Sequence, residues 1–127
     1  MPMLAYDYAI VRVLPRVERG EQINAGVILS CPANRYLRAR FALDDGVLRC
    51  LAPGVDPQPI RAALAGIEAV CQGGPAAGAL GKLSARERFH WLVAPRSTSV
   101  QVSAVHTGRC DDLDAALDDL MRKMVSR

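Results

Sequence analysis

A chain of 127 residues, half of them apolar, can hide roughly two-thirds of its extended surface on folding and so support one hydrophobic core. Its formal charge of +3, from 16 basic and 13 acidic residues, offers no sustained basic field, which makes nucleic acid an unlikely partner. The longest apolar runs fall well short of the ~18 residues a membrane-spanning helix needs, so the expectation is one α+β domain over residues 1–127, cytoplasmic and without a membrane partner.

Charge and cysteine placement narrow the chemistry further. Lys82, Arg86, Arg88, Arg96 and Arg109 give a mild basic excess, followed by the aspartates at 111, 112, 114, 118 and 119. Cys31, Cys50, Cys71 and Cys110 are separated by 19, 21 and 39 positions. Zinc sites favour pairs two to four residues apart, because one turn then preorganises two ligands. No such pair exists, so four free thiols in a reducing compartment are expected, with no metal or cofactor.

In chain order, residues 6–15 predict a strand. Tyr8, Ile10 and Leu14 alternate with Ala9, Val11 and Val13, both sets apolar, which implies an interior strand with Arg12 as the awkward member. A charged connection turning at Gly20 leads to a second strand at 24–31. Pro32 to Arg35 suits a tight turn. Residues 36–43 predict a third strand, with Leu37, Ala39, Phe41 and Leu43 opposite Arg38 and Arg40, whose charge suits a solvated face or an edge.

The period then changes. Ile60, Leu64, Ile67 and Cys71 predict a helix over 57–71, opened by Asp56 and Pro57 and stopped by Gly73 and Gly74. The glycine-rich stretch 73–81 is expected to be a loop. It is not a phosphate loop, since Gly81-Lys82 is followed by Leu83 and preceded by a helix. Ser84 and Glu87 form a capping box that opens a helix through Ala94, with Phe89, Leu92 and Val93 inward and Trp91 available for rim packing or partner contact. Residues 98–106 predict a fourth strand. Asp111 or Asp112 then caps a helix whose Leu113, Ala116, Leu117, Leu120, Met121 and Met124 form one apolar stripe. The expected fold is a four-stranded, largely antiparallel sheet in the order βββ-α-α-β-α, with helices packed over one side.

Candidate chemistry lies in the polar breaks between these elements. They hold Arg16, Arg19 and Asn24, then Arg96 and Ser97, then His106, Thr107, Arg109 and Asp111. His106 and Thr107 are expected to sit at a turn through Gly108 into a helix N-terminus, where free N–H groups beside a guanidinium suit an anion. The stronger reading is that Asp111 and Asp112 already supply negative charge there and that His106 bonds a nearby carbonyl. A Ser97, His106 and Asp111 triad lacks the GxSxG elbow, and no catalytic residue is assigned.

The runs YDYAIVRVLPRVERGEQINAGVILSCP at 6–32, ERFHWLVAPRS at 87–97 and HTGRCDD at 106–112 resemble the bacterial domain-of-unknown-function family 3037. The resemblance implies a cytosolic protein without an assigned activity, often encoded beside kinases similar to the HipA toxin kinases. It places the family's polar signature on Arg16, Arg19, Asn24, Gly26, His90, Arg96, Ser97, His106, Thr107, Gly108 and Asp111.

Two functions follow as expectations. One is a non-catalytic interaction or regulatory partner, with a kinase of that kind as its partner. The other is a small enzyme or a module for a phosphate-bearing ligand, using Arg16, Arg96 and His106. Both expect the loop after the first strand, the Arg96 segment and the His106–Asp111 segment to share one side of the domain. The cysteine spacing also makes a chemical prediction. Freshly purified protein, denatured without reductant, should show all four thiols by a colorimetric count; two or fewer would mean that a disulfide had formed.

Overall fold

The structure, a computed structural model, describes residues 3–127. Its organising strand is β1 (Leu4–Val13), which is apolar on both faces as its alternation requires. On one side it pairs antiparallel with β2 (Ile23–Cys31), which pairs in turn with β3 (Tyr36–Phe41) to complete the expected meander. On its other side β1 pairs antiparallel with β4 (Val100–Val102) and β5 (His106–Cys110), so that β3 and the β4–β5 lane form the two edges.

That second edge is where sequence and structure differ. The sequence predicts one strand over 98–106 that runs into a turn at Gly108. Instead the lane breaks at Ser103–Val105, where three residues oppose Ala9 and Ile10, and resumes as β5. Such an insertion bends an edge strand without ending its pairing. Ser103 makes the break tolerable. Its N–H donates to the Ile10 carbonyl at 2.9 Å, and its hydroxyl accepts from the Ile10 N–H at 2.8 Å. Gly108 is not a turn residue but lies opposite Tyr6, whose ring occupies the space a side chain would need: a Cβ there would stand 2.5 Å from it. Gly26 relates to the Phe41 ring in the same way.

The helices cover both faces rather than one. α2 (Gln58–Gln72) and α3 (Ala85–Leu92) pack on the face that carries Val11, Val13, Ile28 and Leu37. α4 (Leu113–Met124) packs on the opposite face, against Ile10, Val27, Leu29 and Cys31. Two apolar faces on β1 and β2 need two covers, and α4 supplies the second. A short α1 (Asp45–Leu51), without a counterpart in the sequence reading, is capped by Asp44, which accepts from the Val47 N–H at 3.1 Å. The glycine-rich segment is a run of 3-10 turns, Gly74–Lys82, kinked at Gly78.

The helix caps follow the sequence closely. Ser84 and Glu87 make the reciprocal capping box. Asp112, not Asp111, caps α4 by accepting from the Ala115 N–H at 3.1 Å. Asp119 pairs with Lys123 at 2.8 Å and also with Arg122, whereas Asp118 turns instead to Arg40 on β3. Leu117 is fully buried beneath α4. Leu117→Ala should therefore cost about 2–4 kcal/mol in a urea melt; a loss under ~0.5 kcal/mol would mean that α4 does not pack on the sheet.

Candidate functional site

The first group of candidate residues gathers at the end of the sheet where β1 leaves and β4 begins. The Leu14 N–H donates to the Ser99 carbonyl at 2.7 Å, tying the Arg16–Glu21 loop to the Arg96–Ser99 segment. The loop forms a 3-10 turn, Val17–Arg19, closed by Gly20 in the left-handed region at φ 73°. Arg19 donates to Glu21 at 2.5 Å, and that hydrogen bond holds the Glu21 carboxyl below its ordinary range. Arg16, at the start of this turn, and Ser97 are exposed.

Arg96 has a structural task as well. Its guanidinium donates to the carbonyls of Leu92 at 3.2 Å and Trp91 at 3.1 Å. Both carbonyls lie in the last turn of α3, where backbone donors run short, and that of Trp91 also accepts from the Ala94 N–H at 3.4 Å. The same guanidinium lies 4.4 Å from the centroid of the Trp91 ring, a stacking geometry that fixes both side chains.

Asn24 is turned elsewhere. Its amide donates to the Met124 carbonyl at the end of α4 at 3.0 Å, and its oxygen faces the Arg12 Nε at 3.4 Å. That accounts for the awkward charge in β1: Arg12 belongs to the anchor of the last helix.

His106, Thr107 and Arg109 lie on β5, opposite Tyr8, Asp7 and Ala5, and Asp111 follows the strand. His106 is exposed and stacks on Tyr8 with ring centroids 5.4 Å apart. Along β1, Tyr8 stands roughly 17 Å from Val13, where β4 begins. Arg16 and Arg19 thus follow β1, and Arg96 and Ser97 precede β4, at one end of the sheet, while His106, Thr107, Arg109 and Asp111 lie further along the β4–β5 lane. Among the described residues no group of three His, Cys, Asp or Glu side chains is placed to hold a metal ion, and no helix is long and apolar enough to cross a membrane.

What the sequence reading did not locate is an apolar groove beside Arg96. Ile67 and Val70 of α2, Leu92 of α3, and Val100 and Val102 of β4 line it, enclosing about 310 Å³. Arg96 and Trp91 also line it, and neither Arg16 nor His106 does. Trp91 is 44% exposed there, an unusual position for the largest apolar side chain of the molecule. Gly66 helps to keep the groove open, since a Cβ at that position would meet nothing within 4 Å. Periodicity marks Ile67, Leu92 and Val100 as inward-facing. It does not reveal that they meet at an edge lane as the floor of a groove.

No curated protein and no solved structure matched the chain. A family model described as a protein of unknown function, DUF3037, matches residues 8–125. That span takes in all five strands and α1 to α4 apart from the first residues of β1, and with them the groove and every candidate residue. The chain belongs to the DUF3037 family.

Proposed function

We propose that this protein is a non-catalytic interaction domain that docks a partner protein through the groove beside Trp91 and Arg96. The observation that carries the reading is the exposed Trp91 ring, with Arg96 lying over it, at the rim of an apolar groove. Tryptophan and arginine are the residue types that most often dominate binding energy at protein interfaces. Here both are preorganised. Two hydrogen bonds to α3 carbonyls and the ring stack hold Arg96 in place, so a partner need not fix it on arrival.

The partner's chemistry follows from the groove. It supplies an apolar side chain for the space between Ile67, Leu92 and Val100, flanked by a carboxylate facing Arg96. A kinase similar to the HipA toxin kinases is the first partner to test. The rival reading, a phosphate-binding module built on Arg16, Arg96 and His106, draws less support, because Arg96 directs two donors at carbonyls of α3 and His106 lies further along the lane.

The sequence has one tryptophan, so nitrogen-15-labelled protein offers a single indole N–H signal to follow during titration with such a kinase. The indole signal should shift on binding. Trp91→Ala should weaken affinity by roughly 30-fold, as expected for a central anchor worth about 2 kcal/mol, while Thr107→Ala on β5 should change it less than about threefold. Failure of the kinase to bind, or equal affinity for Trp91→Ala, would overturn the proposal.

A further inference from the structure

We infer that the open edge of β3 is a second docking groove, one that takes an extended acidic segment of a partner protein as an added strand. This surface lies at the opposite edge of the sheet from Trp91, and the inference does not rest on the Trp91 groove.

The backbone provides the first argument. β3 is an outer strand, and the Ala42 N–H donates to the Ala25 carbonyl at 2.8 Å, which sets the phase of its pairing with β2. Antiparallel alternation then turns the N–H and C=O groups of Leu37, Ala39 and Phe41 outward, away from β2. The strand and the turn before it, Asn34 to Arg40, line a groove of about 580 Å³ whose other wall is the end of α2, at Glu68, Cys71 and Gln72. A slot between a free strand edge and a helix is the geometry by which an extended peptide adds to a sheet, with backbone bonds for affinity and side chains for selectivity.

Charge selects the occupant. Arg35 and Arg88 line this groove against Glu68, and so do Arg38 and Arg40, whose side chains turn to α4 on the opposite face of the sheet. Arg38 and Arg40 pair with Asp114 and Asp118 on α4, but these are exposed pairs, which contribute little and exchange readily for another carboxylate. Arg88 donates to the Val70 and Cys71 carbonyls at 2.7 and 2.6 Å, a contact that leaves its charge without a carboxylate. Cys71 sits in the wall as an uncharged apolar group, its thiol pushed up to about 12 by burial.

Arg35 carries the argument furthest. It has φ 52° and ψ 36°, the left-handed conformation that favours glycine or asparagine. Its side chain is exposed at the start of β3, and no hydrogen bond or ion pair reaches it among the described residues. Arginines that merely guard an edge against aggregation would account for Arg38 and Arg40. They would not account for an arginine held against its backbone preference beside a groove walled by a helix. The turn from β2 to β3 requires the left-handed conformation, the Arg35 N–H donating to the Pro32 carbonyl at 3.0 Å, but it does not require an arginine there.

The probe is a fluorescein-labelled peptide of about eight residues, alternating glutamate and valine, with a lysine–valine peptide as its control. Two variants separate the contributions. Arg35→Gly removes the guanidinium and suits the left-handed position, so it should melt at or above the wild-type temperature. Ala39→Pro deletes an outward N–H and spares the pairing with β2. Anisotropy should show the acidic peptide binding and the basic one not, with each variant weakening it roughly tenfold and Trp91→Ala leaving it unchanged. Backbone amide shifts should fall on residues 35–41 and 68–72. Should Ala39→Pro fail to fold, Arg35→Gly decides alone. Wild-type affinity in folded Arg35→Gly, no preference for the acidic peptide, or shifts outside these segments would overturn the inference. So would sedimentation showing that a second copy of the chain occupies this edge.

Discussion

Every other element depends on the double burial of β1. Ala9, Val11 and Val13 are inaccessible to solvent, Ile10 nearly so, and the strand is paired along both edges. A strand in that position cannot tolerate an unpaired backbone group, because each buried N–H or C=O without a partner would cost about 1–3 kcal/mol. The constraint explains the lane beside it. Where β4 gives out, Ser103 supplies a hydroxyl to the Ile10 N–H, and β5 resumes the ladder as soon as the inserted residue has been passed. It also explains the layers, since two apolar faces on the central strands oblige α2 and α3 to take one and α4 the other.

A second constraint recurs at the helix ends. The last carbonyls of a helix have no intrahelical donors, and in three helices a polar side chain from elsewhere meets them. Arg88 reaches the end of α2, Arg96 folds back on α3, and Asn24 reaches α4 from β2. Gly73 belongs to the same arrangement, because a Cβ there would press on the Arg88 guanidinium at 2.9 Å. Polar residues that look like site residues in the sequence are in these cases partly employed in holding the fold. Arg96 does both, since fastening it to α3 also presents it at the rim of the groove.

The functional reading rests on what these constraints leave exposed. The sheet has two edges, and α2 crosses between them, giving Ile67 and Val70 to one groove and Glu68, Cys71 and Gln72 to the other. One groove is apolar and anchored by an aromatic ring; the other is lined by arginines and runs along a free strand edge. The two surfaces would suit partners, or segments of one partner, with different chemistry.

Much of this fold was legible in the sequence because it is written in local signals. The alternation in β1 to β3, the four- and three-residue spacing of Ile60, Leu64, Ile67 and Cys71, the capping box at Ser84 and the α4 stripe from Leu113 to Met121 each act within one or two turns of chain, although Met124, which the pattern also marks as apolar, is exposed. The break at Ser103 was not legible, because its hydroxyl is satisfied by Ile10, 93 residues away. Gly108 read as a turn for a related reason. A glycine signals flexibility to its neighbours in sequence, but here it makes room for a ring on the strand opposite. The candidate residues divide in the same manner: sequence by itself determined that they lie at polar breaks between elements. Only tertiary structure decided that Asn24 closes α4, that Arg96 stacks on Trp91, and that His106 stands on a strand some distance from both, because strand register and helix crossing are settled by contacts between parts of the chain that no local pattern connects.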